Sequence, residues 1–328
     1  MLFRSTVLAA LGLALAGTSG GLIGLAIALA ISGCGSATQH PLASGAVSRA
    51  YGADARAPLG IYNFSGDIGK AAFPAAASLL LIVMPWRVSL WVVATAGLAV
   101  AVGIWLSLPQ DRSTQRDEHT PATTRDGGRG GFELLFTIGV LDTAVRMGFL
   151  TFLPFLLQAK HAELPTIGLA LALVFIGGAA GKFACGWLGA RIGVLWTVLL
   201  TEGGTALAIL AVIVLPLSAT LVLLPLLGIM LNGTSSVLYG TVPDLAPRGR
   251  TERAFAVFYT GTIGAGAVAP VLFGFLGDVT GPEWATAATA ATALATIPLA
   301  LILSPRLDRK STRLNSSHSQ QSRMPSSA

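Results

Sequence analysis

Charge is what this sequence has least of. Only 11% of its 328 residues are Asp, Glu, Lys or Arg, against about 25% in an ordinary soluble domain. A chain of this length with so little charge is not a water-soluble globular fold. Cysteine is as scarce: Cys34 and Cys185 are the only two, and both fall inside apolar runs. That excludes a disulfide framework and a thiolate metal site. There are four histidines, and they stand in no Ser-His-Asp arrangement and no metal-binding spacing. Neither a metal nor a cofactor is expected. Gly177 to Lys182 is not a phosphate loop, because Ile176 replaces its first glycine and Phe183 its Ser/Thr.

What is abundant is apolar sequence. Hydrophobic residues make up 53%, and the mean hydropathy is +0.72. Ten long apolar segments can be drawn, at 5–21, 22–47, 58–83, 88–108, 132–158, 165–190, 193–215, 218–244, 254–278 and 283–303. Most reach the ~20 residues that cross a bilayer core. The expected fold is therefore an all-α polytopic membrane protein, with the lipid bilayer as its first partner.

Alternate numbering of the loops places Arg4, Arg49, Arg56, Arg112, Arg116, Arg125, Arg129, Arg191, Arg248, Arg250, Arg253 and Arg306 on one side. The other side holds Arg87 and Lys160. Cytoplasmic loops carry the excess of Lys and Arg. The arginine-rich side is thus read as cytoplasmic, with both ends of the chain inside.

The two ends read differently from the rest. Residues 308–328, DRKSTRLNSSHSQQSRMPSSA, resemble a translated sequencing adapter and are set aside as a non-native tail. Without its four basic residues and one acid the net charge falls from +6 to +3, so no nucleic-acid-binding tail is inferred. At the other end, Ile31-Ser32-Gly33-Cys34 resembles a lipoprotein signal. The apolar run before it exceeds the ~7–15 residues of a signal core, and two membrane helices fit it better.

An internal repeat relates the segments. Gly66-Asp67-Ile68-Gly69 recurs as Gly261-Thr262-Ile263-Gly264, 195 residues later, with Phe64 and Tyr259 two residues before each first glycine. The same offset lays the seventh segment on the first. Segments five and six, 132–190, then have no partner, and the expectation is a repeat-built transporter that lacks its first two helices.

These residues resemble the major facilitator superfamily across 1–307. The resemblance implies helices 3 to 12 of a twelve-helix fold. It divides the chain into a partial N-terminal half at 1–108, a cytoplasmic central loop at 109–131 and a six-helix C-terminal half at 132–307. Gly186-Trp187-Leu188-Gly189-Ala190-Arg191-Ile192-Gly193 is similar to the family's loop signature. Gly186, Arg191 and Gly193 match it, but Ala190 stands where an Asp belongs. Gly33-Cys34-Gly35-Ser36-Ala37 and His40-Pro41, with Gly60, Gly66, Gly69 and Pro74, resemble fosmidomycin-resistance-type efflux proteins. The resemblance implies a monomer in the bacterial inner membrane that exports small molecules against proton entry by alternating access. An uptake permease of the same fold is the alternative, as is a non-transporting polytopic enzyme or sensor; the dispersed charges do not cluster as catalytic residues would.

Ionisable groups inside the bilayer suggest function until they are paired off. Asp67 and Lys70 are three apart and Asp142 and Arg146 four apart, so each pair shares a helical face. Self-neutralisation and a role with substrate or protons both remain open. Lys182 and Glu202 lie at equal depth about the turn at Ile192 and are read as a structural pair. His40, at a depth similar to Asp67, is either a proton relay or a bond to the carbonyl that Pro41 frees. Tyr62, Asn63, Asn232, Tyr239 and Tyr259 are candidates to line a midplane cavity, or else to bond neighbouring helices. Gly261, Gly264, Gly266, Gly274 and Gly277 are expected to let helices pack closely.

Overall fold

Apolar runs this long must bond their own backbone internally, because hydrocarbon offers no partner. The computed structural model describes residues 2–51, 56–107, 130–246 and 251–321, and every element among them is helical. The helices are α1 (Leu2–Thr18), α2 (Leu22–Tyr51), α3 (Arg56–Val83), α4 (Trp86–Ser107), α5 (Gly131–Ala159), α6 (Leu164–Val214), α7 (Leu217–Leu245), α8 (Thr251–Thr280) and α9 (Pro282–Gln321). Nine spans among the described residues are long and apolar enough to cross a membrane, and the shorter α1 is a tenth apolar helix. The ten segments read from hydropathy are all present.

Two of the ten merge in α6. Its spans, Leu164–Gly189 and Arg191–Val214, are separated only at Gly193, with φ 85° and ψ 165°. That conformation is open essentially to glycine alone, so a single residue makes the turn. The apolar part of α9 ends at Pro305, but its helix continues to Gln321 through the adapter-like segment. Residues 322–328, and nearly all of the central loop 109–131, lie outside the described residues.

Contacts group the chain into two units: residues 1–118 with 164–172, and residues 119–163 with 173–328. In the first, α1 packs against both α2 and α4. Gly12 lies against the Ser32 backbone and Gly35 against Ala9. The Trp91 indole donates to the Ala14 carbonyl at 3.1 Å, and Arg87 donates to the Ser19 carbonyl at 3.1 Å.

In the second unit α5 is the hub, packed on α7, α8 and α9. Its Leu135 and Ile138 join Val198, Leu238 and Phe258 in one buried cluster. The first span of α6 meets α7 at backbone distance, with Gly177 on Pro225, Gly181 on Ile229 and Gly228 on Val174. Small residues permit this approach, and dispersion between the surfaces holds it. The glycines of α8 divide: Gly261 faces Phe136 and Gly277 faces Phe152, but Gly264 and Gly274 face open space. Those two are not packing glycines here, since α8 turns that face away from its neighbours.

Two cations stand on the arginine-poor side, and each closes a helix end. Lys160 donates its Nζ to the carbonyls of Leu215 and, at 3.1 Å, Ile213, at the end of α6. Arg87 does the same for α1 through Ser19 and stacks on Trp86, 4.5 Å from the ring centroid. The last carbonyls of a helix have no partner of their own and carry partial negative charge.

Lys160→Met should therefore cost about 1.5–3 kcal/mol, the worth of charged hydrogen bonds, read as a lower unfolding midpoint in detergent. An unchanged midpoint would mean that water replaces the ammonium freely. Gly228→Leu should cost more than about 3 kcal/mol, beyond ordinary overpacking, because its new side chain meets α6 backbone rather than a movable side chain.

Candidate transport site

Unit 2 gathers its polar side chains at one depth. Asp142 lies 11 residues into α5, from Gly131, and Glu202 lies 9 beyond the break at Gly193. Ser235 precedes the end of α7 at Leu245 by 10 residues, and Thr296 precedes Pro305 by 9. Those four helix ends fall on the same membrane side by chain alternation. At ~1.5 Å per residue the side chains sit about 14–17 Å in, near the middle of a ~30 Å core.

Asp142 is 3% exposed and Glu202 is 2% exposed. The two carboxyl groups are in side-chain hydrogen-bond contact, and Glu202 also faces Thr234 on α7 and Thr296 on α9. One Glu202 oxygen, Oε2, has no hydrogen-bond partner among the described residues, and neither has the Thr205 hydroxyl one turn on. Thr234 Oγ1 lies 2.7 Å from Thr201 Oγ1, which continues the polar seam along α6.

Arg146, one turn from Asp142, does not pair with it directly. Its Nη1 donates to Ser235 Oγ at 2.8 Å, and Ser235 Oγ donates to Asp142 Oδ2 at 3.3 Å. A second donation, from Nη2 to Thr143 Oγ1, is 3.4 Å long. The i, i+4 spacing put both charges on one face as expected, but a hydroxyl from α7 stands between them. Tyr239 lies beside this group, with Thr262, Tyr259, Arg146 and Asp142 as its polar neighbours. Its ring is edge-on to Phe258 at 5.1 Å and to Tyr259 at 6.2 Å.

Glu202, expected to pair with Lys182, is turned inward by the second span of α6, towards Asp142. Lys182 is half-buried on the first span. In unit 1 the expected pair does form: Lys70 Nζ is 3.3 Å from Asp67 Oδ1, with the lysine side chain 60% exposed and the aspartate 10%. Asp67 and its repeat counterpart Thr262 are both buried. Tyr62 is half-buried on α3. The side chains of His40 and Asn63, and the surroundings of Gly186, lie outside the described residues, so the His40–Asp67 relay has no structural account.

Asn232 bonds its own helix rather than a neighbouring one. Its Nδ2 donates to the Gly228 carbonyl of its own helix at 3.2 Å, and its side chain lies against Gly178. Arg191 lies over the Trp187 ring, 4.5 Å from the centroid. In this half, where Ala190 replaces the signature Asp, an aromatic face one turn back steadies the arginine.

Ser235, Thr143, Thr234 and Thr296 had not been singled out. Ser and Thr in a membrane helix ordinarily bond the carbonyl three or four residues back, and most do so here. Of these four only Thr234 and Ser235 donate to another helix, and nothing in their identity separates them: Thr296 donates to Ala293 and Thr143 accepts from Arg146, each within its own helix. The usable signal was position: Ser235 is one turn before Tyr239 and level with Asp142.

Known structures share this fold. The crystal structure of a bacterial homologue of the human lysosomal transporter Spinster, inward-facing and occupied, aligns with a TM-score of 0.69 at 15% identity, over 93% of this chain and 82% of that one. Its inward-facing, unoccupied form gives 0.60 at 14%, over 93% and 81%. An outward-facing bacterial homologue of the iron transporter ferroportin gives 0.55 at 16%, over 93% and 83%. No curated protein matches the sequence. The Major Facilitator Superfamily model matches residues 135–326, more than half of the chain. This protein is a multi-pass secondary transporter rather than an enzyme, and it belongs to the Major Facilitator Superfamily.

Proposed function

We propose that the chain moves small molecules across the bacterial inner membrane by proton-coupled alternating access, as a monomer, and that Asp142 and Glu202 hold the proton. One observation carries this: two carboxyl groups, both nearly inaccessible, contact each other at mid-bilayer depth. Two carboxylates this close and shut away from water repel one another, and a proton held between them relieves that repulsion. The nearby cation is held one hydroxyl away, at Ser235. A proton entering or leaving the pair therefore changes the charge that Arg146 experiences, which is the physical content of coupling.

Export is the direction implied by the resemblance to fosmidomycin-resistance-type proteins, with exchange against protons as its form. The uptake permease is favoured by a different observation, the half-buried Arg146 in front of sealed carboxylates. That arrangement suits a solute that binds along with a proton rather than in its place. Asp67 and Lys70 are secondary candidates, because their charges already meet.

The proton site can be tested without knowing the substrate. Infrared difference spectra of the full chain in proteoliposomes, taken across a pH titration, should show a protonated-carboxyl band. Asp142→Asn and Glu202→Gln should each shift it and the double variant should remove it, while Asp67→Asn should leave it in place. A band that survives unchanged in the double variant would assign the proton elsewhere.

A further inference from the structure

The polar cluster of unit 2 has an inner and an outer layer. Asp142 and Glu202 form the inner one and are closed off. The outer one is Arg146 and Tyr239, both half-buried, with Tyr259 40% exposed. The charged group that a solute can reach is thus the cation. A guanidinium has five N–H donors, and described residues accept from two of its nitrogens, Nη1 and Nη2. Charged side chains at this depth face water or the bundle interior rather than acyl chains, so the exposed part of Arg146 opens to water. Beside it, Tyr239 and Tyr259 present two rings and two hydroxyls, backed by the buried Phe258.

We propose that Arg146 anchors the substrate, and that the substrate is a small organic anion with a flat apolar body that binds together with a proton. The anion site stands on the geometry of Arg146 alone; its proton partner rests on the Asp142–Glu202 reading above. The titratable and charged groups facing the site are Asp142 and Arg146 on α5, Glu202 on α6, Tyr239 on α7 and Tyr259 on α8. Thr296, on α9, is neutral. With one shared proton the carboxyl pair carries one negative charge, which Arg146 balances. An arriving anion takes over Arg146 and leaves that negative charge buried without compensation, a costly state. A second proton from water, forming one O–H bond on the pair, restores neutrality.

Anion and proton therefore favour each other's binding and cross together. A cation would have to displace the shared proton and sit beside a guanidinium, behind side chains that close off both carboxyl groups. Co-binding of this kind supports the uptake permease rather than exchange against protons.

Binding to the full chain in detergent tests both halves, with benzenesulfonate and benzyltrimethylammonium as probes because neither titrates. Benzenesulfonate should bind the wild type and tighten as pH falls, by at most about tenfold per pH unit for one linked proton. Arg146→Gln should weaken it more than about tenfold, since bidentate charged contacts are lost. Arg146→Lys, which keeps the charge, should bind between the two and controls for misfolding. The Asp142→Asn/Glu202→Gln double variant, which leaves no carboxyl in the pair to take a proton, should flatten the pH dependence while binding still requires Arg146. Equal benzenesulfonate affinity in wild type and Arg146→Gln would overturn the anion site, as would wild-type preference for benzyltrimethylammonium or binding of neither probe. Arg146-dependent binding with the wild-type pH dependence in the double variant would sink the proton site and leave the anion site standing.

Discussion

Hydrocarbon accepts no hydrogen bonds, and almost every polar choice in this chain answers to that. The backbone is satisfied by helices. Hydroxyls spend their donors on carbonyls of their own helix, as Thr201 does on Thr197 and Thr241 on Val237. Tryptophan and arginine reach across to the open end of a neighbouring helix. Among the described residues Glu202 is an exception, with one carboxyl oxygen and a nearby threonine hydroxyl left without partners.

Charge follows the same rule in two ways. Asp67 and Lys70 meet within one helix, with the lysine reaching an exposed position. Asp142 and Arg146 have nearly the same spacing, yet Ser235 stands between them. The first arrangement neutralises itself and is indifferent to what other helices do. The second depends on α7 staying where it is. A shift of that helix would take away the hydroxyl that links the cation to its counter-charge, so the position of α7 and the bonding of the cluster are not independent.

Depth along a helix was legible in the sequence, and direction around it was not. Counting residues from the turn sets the distance of Glu202 along its helix, not its direction around it. The second span of α6 does carry a polar stripe, Thr197, Thr201, Glu202 and Thr205, all buried, but a stripe does not name the partner that another helix brings to it. The helix count was secure for the opposite reason, since length and hydropathy suffice for it. Asp142 and Arg146 could be paired because 3.6-residue geometry fixes neighbours on one helix. The hydroxyl between them came from another helix, and nothing local specified it. The break in α6 shows the limit from the other side: Gly193 belonged to a recognised signature, but only its backbone angles show that one residue makes the whole turn.

The two cations that close helix ends have a consequence in the order of synthesis. Arg87 emerges 68 residues after its acceptor, Ser19, so α1 already has its open end in place when the arginine arrives. Lys160 emerges first, and its acceptors follow 53 and 55 residues later. Between those two moments the lysine has crossed the membrane with no helix end to hold. That edge of the second unit therefore cannot be completed until both spans of α6 have been threaded, one back and one across again. In the first unit closure is immediate; in the second it waits on the ribosome.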